Sequence, residues 1–423
     1  MLRHVQQSAA RPPNAVATAL SYARRRGRSP RVKHFVPSST PAEGLGVMLL
    51  FELIDSAVPA FFRPDREVHI ARAPGRLDVF GGLADQPAAL GLQLPTAEAA
   101  CVAVQRRDDT LVRLWSPSRD GSRTQLLSVQ LYDLGLPDAP IAHAEARAFL
   151  TADPRDRWAA HVLGCLPVLA RDHGVSFPHG ADVLLHSDVP EQVGAGSSAA
   201  VEVAAMQAFA AAYGVTLTAE QLVRACHVVE NEIAGVESGM IAAATAVLAE
   251  ADELLALRCR PWQVVESLDV PSDLEFVALD TGVRRAGSAQ ALPANGQDAR
   301  AERFLDLLQQ ELTPARKAEL GDLLFAAHGD YARAGRGDAT ADFVVERARE
   351  RRAAGAPLFG AKSMGHGGGG TVVLLGDRGK VWYEALRLKK ALLEHSGHSA
   401  HVFRWSSPGA LSFGGIELRP SGA

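Results

Sequence analysis

Residues 190–200 read Pro190-Glu-Gln-Val-Gly194-Ala195-Gly196-Ser197-Ser198-Ala199-Ala200, small residues set between two apolar runs. The apolar run Val183-Leu-Leu ahead of it predicts a strand, and the Ala-rich run behind it, reaching about Tyr213 before Gly214, predicts a helix. Gly194, Ala195, Gly196 and Ala199 are small enough for the backbone to approach a ligand closely, and the first free amides of the helix then point at it. Ser197 and Ser198 add hydroxyls suited to phosphate oxygens or a magnesium ion. The stretch therefore predicts a phosphate cradle on a helix N-terminus, against the plainer alternative of a flexible turn closed by a capping serine. It lacks the Gly-Lys-Ser/Thr of a Walker loop and the spacing of a Rossmann fingerprint.

Working outward, Thr218 and Gln221 predict a capping box, and Leu222, Cys226, Val229 and Ile233 the apolar stripe of the helix that follows. Glu230 falls on or beside that buried stripe, where a carboxylate must be compensated. Two partners fit: an arginine, or a metal ion facing the cradle. Gly360-Ala-Lys362-Ser-Met-Gly365-His-Gly367-Gly368-Gly369-Gly370 runs straight into the apolar Thr371 to Leu375. Such a run reads as a linker or, with a strand directly after it, as a loop pressed against a phosphate or the first glycine turn. Upstream, Val68 to Ala71, Leu92 to Val104, Leu111 to Trp115 and Leu126 to Leu131 predict strands, and Asp153-Pro154 predicts the start of a helix ending near Gly174. Strands that precede helices in one unit predict an α+β class rather than a doubly wound parallel sheet.

The chain has 423 residues and a formal charge of -4. Residues 1–47 hold eight Lys/Arg against Glu43, a charge of +7, and the remaining 36 basic and 47 acidic residues leave -11. An acidic body argues against nucleic acid as a partner. The basic, Ser- and Pro-containing head fits an organelle transit peptide, or else a disordered tail or a mis-assigned start ahead of Met48, and it is left outside the fold. Four widely spaced cysteines, at 101, 165, 226 and 259, predict a reducing compartment, the cytoplasm, rather than a disulfide framework. Apolar runs are all broken by charge or glycine, so no membrane span is expected.

These three pieces, preceded by Ala73-Pro74-Gly75-Arg76-Leu-Asp78-Val-Phe-Gly81-Gly82-Leu-Ala-Asp85, resemble the GHMP small-molecule kinases, among them galactokinase, homoserine kinase and mevalonate kinase. The likeness leans toward the L-arabinokinases. It runs from about 67 to 270 and resumes at Gly360 to Val373 and Ser406 to Gly414, with a poor match between 285 and 320.

The resemblance implies a ribosomal-protein-S5-like N-terminal ATP-binding domain over 48–269 and a ferredoxin-like α/β-plait domain over 270–423, with ATP and a small sugar between them. It places Gly194, Ala195, Gly196, Ser197, Ser198 and Ala199 on the ATP phosphates, with Gly365, Gly367 and Gly368 in the third motif. It places Ser198 and Glu230 on magnesium, Arg76 at the reacting hydroxyl and Asp85 on a sugar hydroxyl. One departure stands out. Where such sugar kinases carry aspartate then glutamine, this chain reads Gly239-Met240-Ile241-Ala242-Ala243, so the usual base is Ala242. General-base help is worth about 10^2 to 10^4 in rate, whereas phosphoryl transfer rests mainly on positioning and charge neutralisation.

Three functions follow as expectations. The first is an ATP- and Mg2+-dependent sugar kinase, acting on the anomeric hydroxyl of L-arabinose or a relative. The second is a pseudokinase that senses nucleotide or sugar. The third is a kinase for another acceptor such as galactose, glucuronate or a heptose phosphate. The sequence leaves the oligomeric state open.

Overall fold

The computed structural model describes residues 34–37, 45–81, 89–117, 123–259, 262–284, 297–333, 337–365 and 369–421. Its strands are β1 (Phe35–Pro37), β2 (Val68–Phe80), β3 (Leu90–Arg106), β4 (Leu111–Trp115), β5 (Leu126–Gln130), β6 (Ala181–Ser187), β7 (Glu253–Cys259) and β8 (Trp262–Asp269). Further on come β9 (Leu274–Arg284), β10 (Leu358–Ser363), β11 (Gly369–Asp377), β12 (His401–Phe403) and β13 (Ile416–Pro420). The helices of eight residues or more open with α1 (Leu45–Ala57), α2 (His143–Leu150), α3 (Cys165–His173), α4 (Ser197–Ala212) and α5 (Ala219–Val228). They continue with α6 (Ile241–Leu248), α7 (Gln297–Leu308), α8 (Pro314–Arg333), α9 (Ala339–Ala353) and α10 (Val381–Ser396).

The first sheet runs β1-β13-β2-β3-β6-β4-β5, with β7 on β3 and β8 on β7. Its pairs are antiparallel apart from β4 and β6. The long β2–β3 pair is its axis. One face carries the main core, to which α4 contributes Val203, Met206 and Phe209 and α6 contributes Ala244 and Val247. The other is covered by α1, whose Leu50 and Ile54 pack with Val68, Ala103 and Leu184. Burial on both faces explains why β2 is an almost unbroken buried run rather than an alternating strand. Helix α4 is apolar nearly all round for the same reason, and its alanines let it lie close on the sheet.

The second sheet has the order β10-β11-β9-β12, all antiparallel. Chain order is β9, helices, β10, β11, helix α10, β12, which is the split strand order of the ferredoxin-like plait. The α+β expectation therefore holds.

Three expectations need correction. Residues 1–47 stand outside the fold in the sequence reading, yet Phe35–Pro37 pair with β13 and Phe35 is 1% exposed in the second core. The C-terminal strand β13 returns to pair with β2 of the first sheet, so sheet membership does not follow a single cut at residue 270. The helix expected from Asp153 starts later: 151–156 are turns, Ala160–Leu163 is one short helix, and α3 begins at Cys165. Pro167 has no N–H to give the Leu163 carbonyl, which breaks the helix there.

Because Phe35 is a core residue, Phe35→Ala should cost about 3 kcal/mol of unfolding free energy, read by chemical denaturation. A loss below about 0.5 kcal/mol, the range of an ordinary surface substitution, would show that β1 adds nothing to the fold.

Candidate active site

The turn between β6 and α4 is the predicted cradle. Gly196 caps α4 at φ 72, a left-handed conformation that favours glycine, and no side chain caps the helix. The first amides of α4 are thus left free of side-chain caps, as an anion site needs. Arg76 is fastened to this turn twice. Its backbone N–H donates to the Ala195 carbonyl at 2.8 Å, and a Cβ at Gly196 would lie 3.3 Å from its Cγ. Gly194 touches the third motif, since a Cβ built on Gly365 would sit 3.4 Å from the Gly194 Cα. Gly365 thus meets the first glycine turn, one of the two surfaces expected to face that motif.

The β2–β3 register brings Arg76 together with Asp78 and Gln93, two residues given no role above. Alternation places Arg76 and Asp78 on one face, and Asp78 stands directly opposite Gln93. The Arg76 guanidinium donates through Nη1 to Gln93 Oε1 at 2.7 Å, and Gln93 Nε2 donates to Asp78 Oδ1 at 2.9 Å and to the Phe80 carbonyl at 3.1 Å. The Gly365 N–H donates to Asp78 Oδ2 at 3.0 Å, and the Lys362 ammonium donates to the Asp78 carbonyl at 3.0 Å. Asp78, Gln93 and Lys362 are all fully buried. Burial pushes the Lys362 ammonium below its ordinary range, while the Asp78 charge pulls it back up. Tyr331 of α8 closes the group by donating to the Gly365 carbonyl at 2.7 Å. The Arg76 Nε is buried with no acceptor, so a donor remains for a ligand.

Ser198 and Glu230, predicted together on the metal, are in direct contact: the Ser198 hydroxyl donates to Glu230 Oε1 at 2.6 Å. Glu230 lies in a π-helical turn, Val229–Ala234, that continues α5 and buries it to 4% exposure. Its other oxygen accepts from the Ser238 hydroxyl at 2.5 Å. Among the described residues, hydroxyls rather than an arginine hold Glu230. Hydroxyl and carboxylate oxygens are the hard donors magnesium takes, with water and phosphate completing its shell. Among the described residues no group of three or more His, Cys, Asp or Glu forms a closed metal cage. The Ser198 hydroxyl and the Glu230 carboxylate are donors of the kind a magnesium ion carried with a nucleotide takes.

One turn along α4 from Ser198, Glu202 is fully buried against His161, with Nδ1 to Oε1 at 2.6 Å, and its Oε2 has no partner. Burial, helped by the nearby Glu230 charge, pushes Glu202 well above the usual carboxylate range. Burial lowers His161, opposed by Glu230 and Glu191. Burial thus favours the neutral form of each partner. Ala242 occupies the first turn of α6, half-buried, and the carboxylate next to it in sequence, Glu237, is exposed. Asp85, Gly367 and Gly368 lie outside the described residues. Sequence reasoning overlooked Glu202 although a lone acid in an apolar helix is a visible signal. Ser238, in a loop, gave none.

Folded Glu202 keeps its proton above pH 4.5 while the unfolded chain gives it up, so unfolding releases a proton and wild-type stability falls as pH rises. Glu202→Gln mimics the protonated acid and lacks that slope. Denaturation from pH 5 to 8 should show the variant gaining on the wild type, by up to about 1.4 kcal/mol per pH unit. A difference that stays constant with pH would show Glu202 ionised in the fold.

Comparison with known proteins fits this geometry. Residues 160–250 match the model of the GHMP kinases N terminal domain. The chain is 38% identical over 252 residues to an L-arabinokinase from Arabidopsis thaliana, covering 54% of this chain and 24% of that protein. It is 31% identical over 223 residues to a galactokinase from Chloroflexus aggregans, covering 52% of this chain and 51% of that one. The matched stretch thus spans about half of the galactokinase and a quarter of the arabinokinase. Among solved structures, Lactococcus lactis galactokinase complexed with galactose superposes with a TM-score of 0.69 at 18% identity, covering 85% of this chain and 99% of that one. Residues 160–250 are thus similar to the GHMP kinases N terminal domain, and the chain has the fold seen in galactokinase and mevalonate kinase.

Proposed function

We propose that the chain is an ATP- and magnesium-dependent kinase for a monosaccharide hydroxyl, with the anomeric hydroxyl of L-arabinose or a related sugar as the leading acceptor. The observation that carries this reading is Arg76. It is held to the phosphate turn through Ala195 and Gly196, it is 7% exposed, and it keeps an unpartnered Nε. A cation fixed beside an anion cradle suits a reaction in which phosphate charge moves toward an acceptor. The similarity to an L-arabinokinase and to galactokinases supports a sugar as that acceptor.

In this reading the free amides of residues 197–199 hold the nucleotide phosphates. Magnesium, when bound, neutralises phosphate charge, and Ser198 and Glu230 hold it. Arg76 orients the acceptor oxygen, which bonds to the γ-phosphorus as the bond to the β,γ-bridging oxygen breaks and ADP leaves. Ala242 offers no acceptor for the hydroxyl proton, which passes to solvent or to the transferred phosphoryl group. A loose transition state tolerates this at a cost in rate.

Ala242 also favours a second reading, a sensor that binds both ligands without turnover. Purified chain with ATP, Mg2+ and a panel of L-arabinose, galactose, glucuronate and a heptose phosphate should release ADP in a sugar-dependent way. Glu230→Gln should lower kcat/KM by about 10^2-fold or more and raise the magnesium requirement. Ala242→Asp should raise turnover, by up to about 10^2-fold. No sugar-dependent ADP from folded wild type overturns the kinase. Binding of both ligands, with turnover appearing in Ala242→Asp alone, establishes the sensor.

A further inference from the structure

The contacts around Asp78 close into a ring. The Gly194–Ala195–Gly196 turn holds Arg76 by its backbone and methylenes, and Arg76 Nη1 bonds Gln93 at 2.7 Å. Gln93 bonds Asp78 at 2.9 Å, Asp78 accepts the Gly365 N–H at 3.0 Å, and Gly365 packs back on Gly194. Every polar member is nearly or fully buried: Arg76 is 7% exposed, and Asp78 and Gln93 are 0%.

The ring also has a fixed polarity. Turning the Gln93 amide over would set its NH2 against the guanidinium and its oxygen against the carboxylate, so the donors and acceptors agree in one sense alone. Water cannot substitute for a broken link at such burial, and a shift in one member leaves another unsatisfied. The phosphate turn and the Arg76 guanidinium are thereby held in one arrangement by residues that reach neither the phosphate amides nor the Arg76 Nε.

We propose that Asp78 and Gln93 are positioning residues that couple occupancy of the phosphate turn to the aim of Arg76, so that nucleotide and sugar bind cooperatively. This rests on the kinase reading above. A nucleotide that orders the Gly194–Gly196 turn sets Gly365 and the Arg76 main chain, and the Asp78–Gln93 pair passes that constraint to the guanidinium. By linkage the sugar must strengthen nucleotide binding by the same factor.

Calorimetry on the full chain tests it, with MgADP as one probe and L-arabinose or galactose as the other. Wild type should bind the sugar on the order of tenfold more tightly when MgADP is present, and MgADP more tightly by the same factor when sugar is present. Asp78→Asn can accept from Gln93 or from Gly365 but not from both, and Gln93→Leu breaks the ring on two sides. Each should bring the factor to within about twofold of one while changing MgADP affinity alone by less than about threefold, relative to that tenfold coupling. Leu94→Ala, in the same strand pair and outside the ring, lowers stability without touching these bonds, and it should keep the tenfold factor.

Hydrogen exchange gives a readout that needs no variant: in wild type, sugar alone should slow exchange of the amides at 194–199 and at Gly365. Independent binding of the two ligands to wild type overturns the coupling, as does a tenfold factor surviving in Gln93→Leu. If the folded wild type binds neither MgADP nor any sugar of the panel, the kinase reading fails and the coupling falls with it. That result is distinct from binding without coupling.

Discussion

A fully buried carboxylate, Asp78, sets the constraint on which the rest of the site depends. Removing a carboxylate from water costs several kcal/mol unless hydrogen bonds and charge compensate it. Here compensation comes from both sheets. Gln93 of the first sheet bonds one oxygen, Gly365 just past β10 bonds the other, and the Lys362 ammonium lies 3.9 Å from Oδ2. Leaving any of these unmet would strand a buried polar group, so the approach of β10 to β2 is fixed to within a hydrogen bond. The position of Gly365 follows, then its contact with Gly194, and then the seat of Arg76 beside the phosphate turn.

Seen from that carboxylate, the chemistry divides between two halves of one cradle. The turn before α4 supplies amides and the Ser198 hydroxyl, and the π-turn after α5 brings Glu230 up against that serine. On the opposite side the β2–β3 pair supplies the cation. The acidic charge of the body, -11 outside the basic head, contributes little to holding phosphate. In the proposed reaction local amides, Arg76 and a carried metal ion would do so instead. Under the proposed kinase reading, the missing carboxylate at 242 removes general-base help, while positioning and charge neutralisation, on which phosphoryl transfer mainly rests, are assigned to residues that are present.

Much of this was legible in the sequence, for a physical reason in each case. The turn at 190–200 carries its own signal because close approach demands small residues, and the capping box at Thr218 and Gln221 forms as read. That Glu230 needs a partner was readable because a carboxylate on an apolar stripe must be compensated, whereas its placement with Ser198 came only from the resemblance. What stayed hidden depends on register or on distant contact. Asp78 and Gln93 look like ordinary strand residues until β2 and β3 are aligned. Lys362 reads as part of a glycine run, and Tyr331 as one more apolar residue of a helix. The strand at Phe35–Pro37 was hidden in a basic head whose composition masked three residues, because its partner lies at the far end of the chain in β13.

A crystal structure of the full chain with magnesium and a non-hydrolysable ATP analogue shows whether the turn before α4 holds the nucleotide. Phosphate oxygens should lie on the amides of residues 197–199 and a metal ion between Ser198 Oγ and Glu230, with the bonds from Arg76 through Gln93 to Asp78 unchanged. Nucleotide bound elsewhere, or phosphates held with Ser198 still bonded to Glu230 and no metal between them, would contradict this arrangement.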